Sequence, residues 1–392
     1  MSAHAQPSPV GGKLLTPGYL LLLAVAAVGA GFSLWRFTKG LGPTTSMSDG
    51  YPWGIWIAFD VVTGTALGAG GYALAILVYV LNQGRYHPLI RGALVTTALG
   101  YTIASLSIVL DVGRWWQLWK LPFFVSHWNG NSALLEVALC VMSYTAVAWL
   151  EIATPVLGDY KGSKRNPKLA ALAEKLHPAL KKALPFVIAL GVLLPTMHQS
   201  SLGTLMMLTA RLHPLWHSQL LPLLFLISCI GMGYGGIILE STLSHRAFRR
   251  SVDSPLLSRL SKVVAGVMLG YVVLRLGDVV TRGALANASP GYVFLFGVEL
   301  FLFAVPAFFL WSDLRKNAGV QFGAAFALVI AGALYRFDTY LVAYEPGNNW
   351  SYFPSVPELI MTFGLVATEL AVYIFLIKRF PILGGRSSEP VT

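Results

Sequence analysis

Ten apolar runs, at roughly 17–38, 53–81, 90–110, 132–154, 184–208, 219–243, 259–281, 291–312, 319–343 and 356–379, leave this chain very few folds. Each run is near the ~20 residues that a ~30 Å hydrocarbon layer requires of a helix. Inside that layer every backbone polar group must bond within the protein, which restricts the spanning structures to helices and closed barrels. The runs are continuous and lack the ~10-residue alternation of barrel strands, so helices are predicted. A 392-residue chain that is 55% hydrophobic and only 11% charged is no ordinary soluble domain. The expectation is an all-α integral membrane protein with one polytopic domain over residues 1–392. The first run is too long for a signal peptide and is followed by no clear cleavage site, so it is expected to be a retained helix.

Loop charge predicts the orientation. With ten spans both ends of the chain share a side. To that side fall Lys13, Arg85, Arg91, Lys161, Lys164, Arg165, Lys168, Lys175, Lys181, Lys182, Arg246, Arg249, Arg250, Arg259, Lys262, Arg315, Lys316, Lys378, Arg379 and Arg386, twenty of the 28 basic residues. The positive-inside rule then makes both termini cytoplasmic. The net charge of +11 is read as this topology signal. No motif points to nucleic acid. The basic loops, above all a cytoplasmic loop at 156–183, are expected to touch anionic lipid headgroups.

Asp60, Glu136, His198, Arg275, Asp278, Glu299, Arg336, Asp338 and Glu369 interrupt the apolar runs. Ionisable groups in a membrane span are costly and usually functional. Counting depth along each run puts most of them in the outer half, with Glu240 and Glu369 toward the cytoplasm. They fall into spans 2 to 5 and spans 6 to 9, which predicts two four-helix bundles, over 53–208 and 219–343, plus two extra helices. Arg275 and Asp278 share a helix face at i, i+3, the spacing of a structural ion pair as well as of a proton path. Arg336 and Asp338, two apart, cannot face the same way. Asp111 and Arg114 suit a local cap and pair at a helix end. Glu136 has no basic residue within a turn, so it needs a partner across the bundle, water, or a proton. His198 lies in Leu194-Pro195-Thr196-Met197-His198-Gln199-Ser200-Ser201, where proline frees a backbone carbonyl for polar side chains.

Cys140 and Cys229 sit in apolar runs without CxxC spacing, so they read as buried thiols and no metal centre is expected in this chain. A membrane haem b commonly takes two histidines from facing helices. Only His198 is at depth; His4, His87, His127, His177, His213, His217 and His245 belong to loops or helix ends. A quinone fits better, because its ring needs an aromatic slot and its carbonyls need donors. Trp53, Trp56, Tyr101, Trp115, Trp116, His127 and His198 offer those groups near one surface.

The strings Pro52-Trp53-Gly54-Ile55-Trp56-Ile57-Ala58-Phe59-Asp60, Asp111-Val112-Gly113-Arg114, Asn131-Ser132 with Glu136, Leu194 to Ser201, His213-Pro214-Leu215-Trp216 and Tyr352-Phe353-Pro354 carry a resemblance. They resemble the membrane subunits of hydrogenase-2 type NiFe hydrogenases, within the NrfD and polysulfide-reductase membrane-subunit family. The resemblance covers nearly the whole chain and departs mainly in the first twenty residues, the segment 156–183 and the C-terminal tail. It implies a haem-free subunit of the bacterial inner membrane that passes electrons between a periplasmic, ferredoxin-like iron-sulfur subunit and quinone. The partners it implies are the large and small hydrogenase subunits, and the quinone is menaquinone or ubiquinone.

In the expected site the quinone head lies in the outer half of spans 2 to 5. Tyr101 and His198 hydrogen-bond or protonate it, and Trp53, Asp60, Asp111, Arg114, His127 and Glu136 shape its surroundings. Glu136→Gln is then expected to abolish quinone-coupled turnover. Protons are expected to reach the site through Glu136, Glu240, Arg275, Asp278, Glu299, Arg336 and Glu369. A secondary transporter also buries charge in paired bundles, but it would turn over without iron-sulfur subunits. A purely structural anchor would tolerate neutralisation of Glu136 and His198.

Overall fold

The computed structural model describes residues 7–163, 166–248, 254–286 and 288–383. His4, Lys164, Arg165, Arg249, Arg250 and Arg386 lie outside the described residues. Among those described, ten helices are long and apolar enough to cross a membrane. They are α1 (Pro17–Lys39), α2 (Trp56–Val80), α3 (Gly84–Asp111), α4 (Ala133–Tyr160), α5 (Pro167–Leu208), α6 (Leu221–Phe248), α7 (Ser254–Thr281), α8 (Pro290–Trp311), α9 (Ala318–Val342) and α10 (Val356–Arg379). Their packing forms two rings of four. In the first, α3 touches α2 and α4, while α5 touches α4 and α2; in the second, α6, α7, α8 and α9 close in sequence. The remaining pair, α1 and α10, packs together beside α3.

Local chemistry sets the helix ends. Thr16 accepts from the Tyr19 amide ahead of Pro17. Ser355 and Glu358 form a reciprocal capping box that opens α10. The segment expected as a basic loop at 156–183 is instead the end of α4, a short turn and the first turns of the 42-residue α5. Asn166 caps that helix, Pro167 starts it, and the Ala-, Leu- and Lys-rich stretch that follows has strong helix propensity. At ~1.5 Å per residue α5 is roughly 60 Å long, twice the hydrocarbon thickness, so its basic half extends beyond the membrane.

Helix α2 is irregular and lies between the rings, touching α3, α5, α6 and α9. It opens as a π-helix over Trp56–Gly64, breaks at Gly68 and Ala69, and closes in a second π segment, Ile76–Val80. Glycines and β-branched residues weaken the regular ladder there. They also admit the neighbouring backbone, since a Cβ on Gly233 of α6 would stand 2.8 Å from the Ala69 carbonyl carbon. Thr97 of α3 repairs the break by donating to the Gly68 carbonyl and accepting from the Gly71 amide at 2.9 Å. π segments of this kind concentrate at functional sites.

The α1–α10 pair depends on glycine. A Cβ on Gly29 would fall 2.6 Å from the Gly364 Cα, so the two backbones cross with no room for a side chain, as small residues allow in membranes. Gly29→Leu is expected to cost at least the ~1–3 kcal/mol of an overpacked core. Thermal unfolding in detergent checks this, and an unchanged midpoint would refute the close crossing.

Loops at one end of the bundle, here the aromatic end, are knitted together. Tyr51 donates to the Tyr344 carbonyl at 3.0 Å, Trp53 Nε1 to the Tyr340 carbonyl at 3.0 Å, and the His213 amide to the Ala343 carbonyl at 2.9 Å. Tyr352 accepts from the Ile55 amide at 2.7 Å and donates to Glu358 at 2.8 Å. Burial lowers the basicity of His213, which nearby Glu345 partly offsets. Burial also raises the Tyr51 hydroxyl pKa, with Tyr344 and Glu345 adding to it.

Candidate functional site

Three helices of the first ring bring Tyr101 (α3), Tyr144 (α4) and His198 (α5) together. The Tyr101 ring meets Tyr144 edge-on at 4.5 Å and His198 at 5.6 Å between centroids. All three side chains are fully buried. Both tyrosine hydroxyls and His198 Nδ1 lack a hydrogen-bond partner, an arrangement that in a buried site asks for a ligand or water. His198 Nε2 lies 3.2 Å from the Thr65 hydroxyl of α2, which also accepts from Gln199 Nε2 at 2.9 Å. Tyr101 is ten residues from the end of α3, roughly 15 Å deep, so this cluster stands near mid-membrane and not in the outer half.

A second group occupies the other side of α3, toward α10. Asp60 is buried near Ser107 and within electrostatic reach of Glu369. Asp60 Oδ2, Ser107 Oγ, Trp56 Nε1 and Asp111 Oδ1 are buried without hydrogen-bond partners. The cation that acts electrostatically on Asp111 is Arg36 of α1, fully buried, whose Nη2 donates to the Val112 carbonyl at 2.7 Å. Arg114, expected to pair with Asp111, is exposed instead, because the chain turns away after α3. His127 is exposed in the loop that follows, bonded to Ser126. Trp53 turns from this group toward Tyr340 and Tyr344.

Glu136 is half-buried in the first turn of α4. It lies two turns, roughly 12 Å along the axis, from Tyr144, so the fold does not bring it to His198. In the second ring Arg275 Nε lies 3.5 Å from Glu299, and Trp216 Nε1 donates to the other Glu299 oxygen at 2.9 Å. Asp278 is 3.9 Å from Arg275 but only 2.7 Å from Arg282, and it accepts from Ser218 at 2.7 Å. The i, i+3 pair read from sequence is thus the weaker contact, and Arg275 belongs to Glu299. Asp338 is buried with both carboxyl oxygens unpartnered. Near the opposite end, Glu240 accepts from Thr96 at 3.2 Å and Tyr373 at 2.7 Å.

Arg336 sits where the rings meet. Fully buried, it donates to the Val62 carbonyl at 3.0 Å, Gly332 at 3.1 Å and Phe225 at 3.2 Å, and reaches Gln199 Oε1 at 3.4 Å. Its bonds go to neutral groups, among them the Val62 carbonyl in the π segment of α2.

Sequence reasoning missed Tyr144, Thr65, Arg36 and Trp216. The polar string around His198 pointed to Gln199, and a lone tyrosine at mid-span was the available signal for Tyr144.

Residues 43–343 match the family model described as polysulphide reductase, NrfD. The chain is 37% identical over 386 residues to the probable Ni/Fe-hydrogenase 2 b-type cytochrome subunit of Escherichia coli, covering 96% of this chain and 95% of that protein. It is 27% identical to the menaquinone reductase integral membrane subunit of Nitratidesulfovibrio vulgaris, over 93% of this chain and 92% of the other. It is 25% identical to the Hdr-like menaquinol oxidoreductase integral membrane subunit of Archaeoglobus fulgidus, over 95% of each.

Proposed function

The chain belongs to the NrfD family and is a multi-pass membrane subunit of a redox complex, and from that premise we propose that it passes electrons between an iron-sulfur subunit and membrane quinone. The observation that carries this reading is the Tyr101–Tyr144–His198 cluster, where three helices pack buried rings together and leave both hydroxyls and His198 Nδ1 without hydrogen-bond partners. Tyrosine and histidine are the side chains that exchange protons with a quinone ring. Asp60, Asp111 and Trp56 line the adjoining polar side of α2 and α3. Arg114, His127 and Trp53 belong to the surface at which a partner docks.

The relative from Escherichia coli suggests NiFe hydrogenase subunits as those partners. The basic loops support a bacterial inner membrane with both termini cytoplasmic. That relative is named a b-type cytochrome subunit, but the donors here do not suit a bis-histidine haem. His198 is the described histidine buried within a spanning helix, and its Nε2 already meets Thr65. His177 and His217 face the carbonyls of Thr154 and Met207. Glu240 and Glu369 are the acids best placed to relay protons; Glu299, ion-paired with Arg275, and Asp278, ion-paired with Arg282, are read as structural.

Membranes carrying the whole complex provide the test. Deleting this chain is expected to abolish hydrogen-dependent quinone reduction and to leave dye-linked hydrogen oxidation intact. The purified chain is expected to show no stoichiometric Soret band. Unchanged quinone reduction, or a full haem complement, overturns the reading.

A further inference from the structure

The hydrogen bonds around His198 have directions that can be worked out from the donors outward. Arginine has donors only, so Arg336 Nη2, 3.4 Å from Gln199, fixes the amide oxygen on its own side. The Gln199 NH2 must then face Thr65, to which it donates at 2.9 Å. Thr65 has a single hydroxyl proton, and that proton goes to the Val61 carbonyl one turn earlier in α2. The threonine oxygen is therefore left with lone pairs only, one for Gln199 and one for His198. Its contact with His198 Nε2, at 3.2 Å, is satisfied only when Nε2 carries the proton. In a neutral imidazole the other nitrogen is then bare. That nitrogen, Nδ1, is the buried atom without a partner beside Tyr101.

We propose that the Arg336–Gln199–Thr65 chain locks His198 as the Nε2–H tautomer, so that Nδ1 is an acceptor built to bind a hydroxyl donor, a hydroquinone hydroxyl and not a quinone carbonyl. Arg336, Gln199 and Thr65 are positioning residues, acting on the ligand through the imidazole. Arg336 comes from the second ring and Thr65 from the irregular centre of α2, so both bundles are needed to set one proton. A carbonyl oxygen facing Nδ1 would set two acceptors against each other, which disfavours the oxidised ring in that pose. The proposal rests on the quinone reading for the ligand's identity, whereas the tautomer follows from the hydrogen bonds alone.

Two measurements on the full-length chain in membranes separate these parts. With histidine labelled with nitrogen-15, the signal that disappears in His198→Gln is expected to show protonated Nε2 and bare Nδ1. Thr65→Ser keeps that pattern, and Thr65→Val loses it. An Nδ1–H tautomer in the unaltered chain overturns the proposal, as does a pattern unmoved in Thr65→Val. The second probe is an alkylated 1-naphthol, a redox-inert hydroxyl donor, compared with its methyl ether. The naphthol is expected to bind at least about tenfold more tightly, since only it satisfies the buried acceptor. Equal affinities overturn the proposal. If neither probe binds while the Nε2–H signal stands, the quinone reading fails and the tautomer assignment survives.

Discussion

His198→Ala, introduced into the assembled complex, is expected to lower electron transfer to a quinone analogue by about 10²–10⁴-fold, the usual weight of a positioned proton-transfer group. Dye-linked oxidation at the partner subunits should stay within about twofold, because His198 is fully buried at mid-membrane, remote from any docking surface. Tyr101→Phe is the finer test, since it removes one unpartnered hydroxyl and leaves the ring packed on Tyr144 and His198. Glu136→Gln, which the sequence made the decisive substitution, is now expected to have a much smaller effect. Glu136 is half-buried in the first turn of its helix, roughly 12 Å along the axis from Tyr144. Steady-state rates with both acceptors check the set, and wild-type quinone reduction in His198→Ala and Tyr101→Phe would remove the cluster from the mechanism.

The largest stability effect is expected at Glu299. Glu299→Gln takes the nearest counter-charge from Arg275, a fully buried guanidinium stacked between Phe296 and Tyr335, leaving Asp278 at 3.9 Å and Asp338 within electrostatic reach. Asp278 is already committed to Arg282 and Ser218. Breaking a buried pair from one side costs about 3–5 kcal/mol, mostly as the penalty of the charge left behind. Trp216 Nε1, which donates to Glu299, keeps an acceptor in the amide, so the loss reports on charge. Removing both charges together, as Arg275→Met with Glu299→Leu, should recover most of the stability, because an apolar pair of similar volume has no desolvation cost. Denaturant or thermal unfolding in micelles compares the variants. A double variant as unstable as Glu299→Gln would show that the pair has a role beyond mutual neutralisation.

Much of the architecture is legible in the sequence. Ten apolar runs correspond to ten helices with ends shifted by a few residues, apart from the start of α5 at Pro167, because hydrocarbon thickness fixes span length and lipid forbids unpaired backbone. The grouping of charges into spans 2–5 and 6–9 likewise matches the two rings. The segment 156–183 went wrong for a definite reason. Its polarity removed it from the membrane, but its helix propensity, which a hydropathy pattern does not register, joined it to α5.

Site residues were legible as types and not as partners. The sequence by itself determined that acids, arginines and one histidine would be buried in an all-α membrane fold, since the cost of burial follows from depth along a single helix. Only the tertiary structure decided which groups meet. It paired Arg275 with Glu299, put Arg36 rather than Arg114 beside Asp111, separated Glu136 from His198, and joined Tyr144 and Thr65 to the histidine. Those outcomes depend on the rotation of each helix about its axis and on the π segments and break in α2, and both are set by contacts with helices far away in sequence.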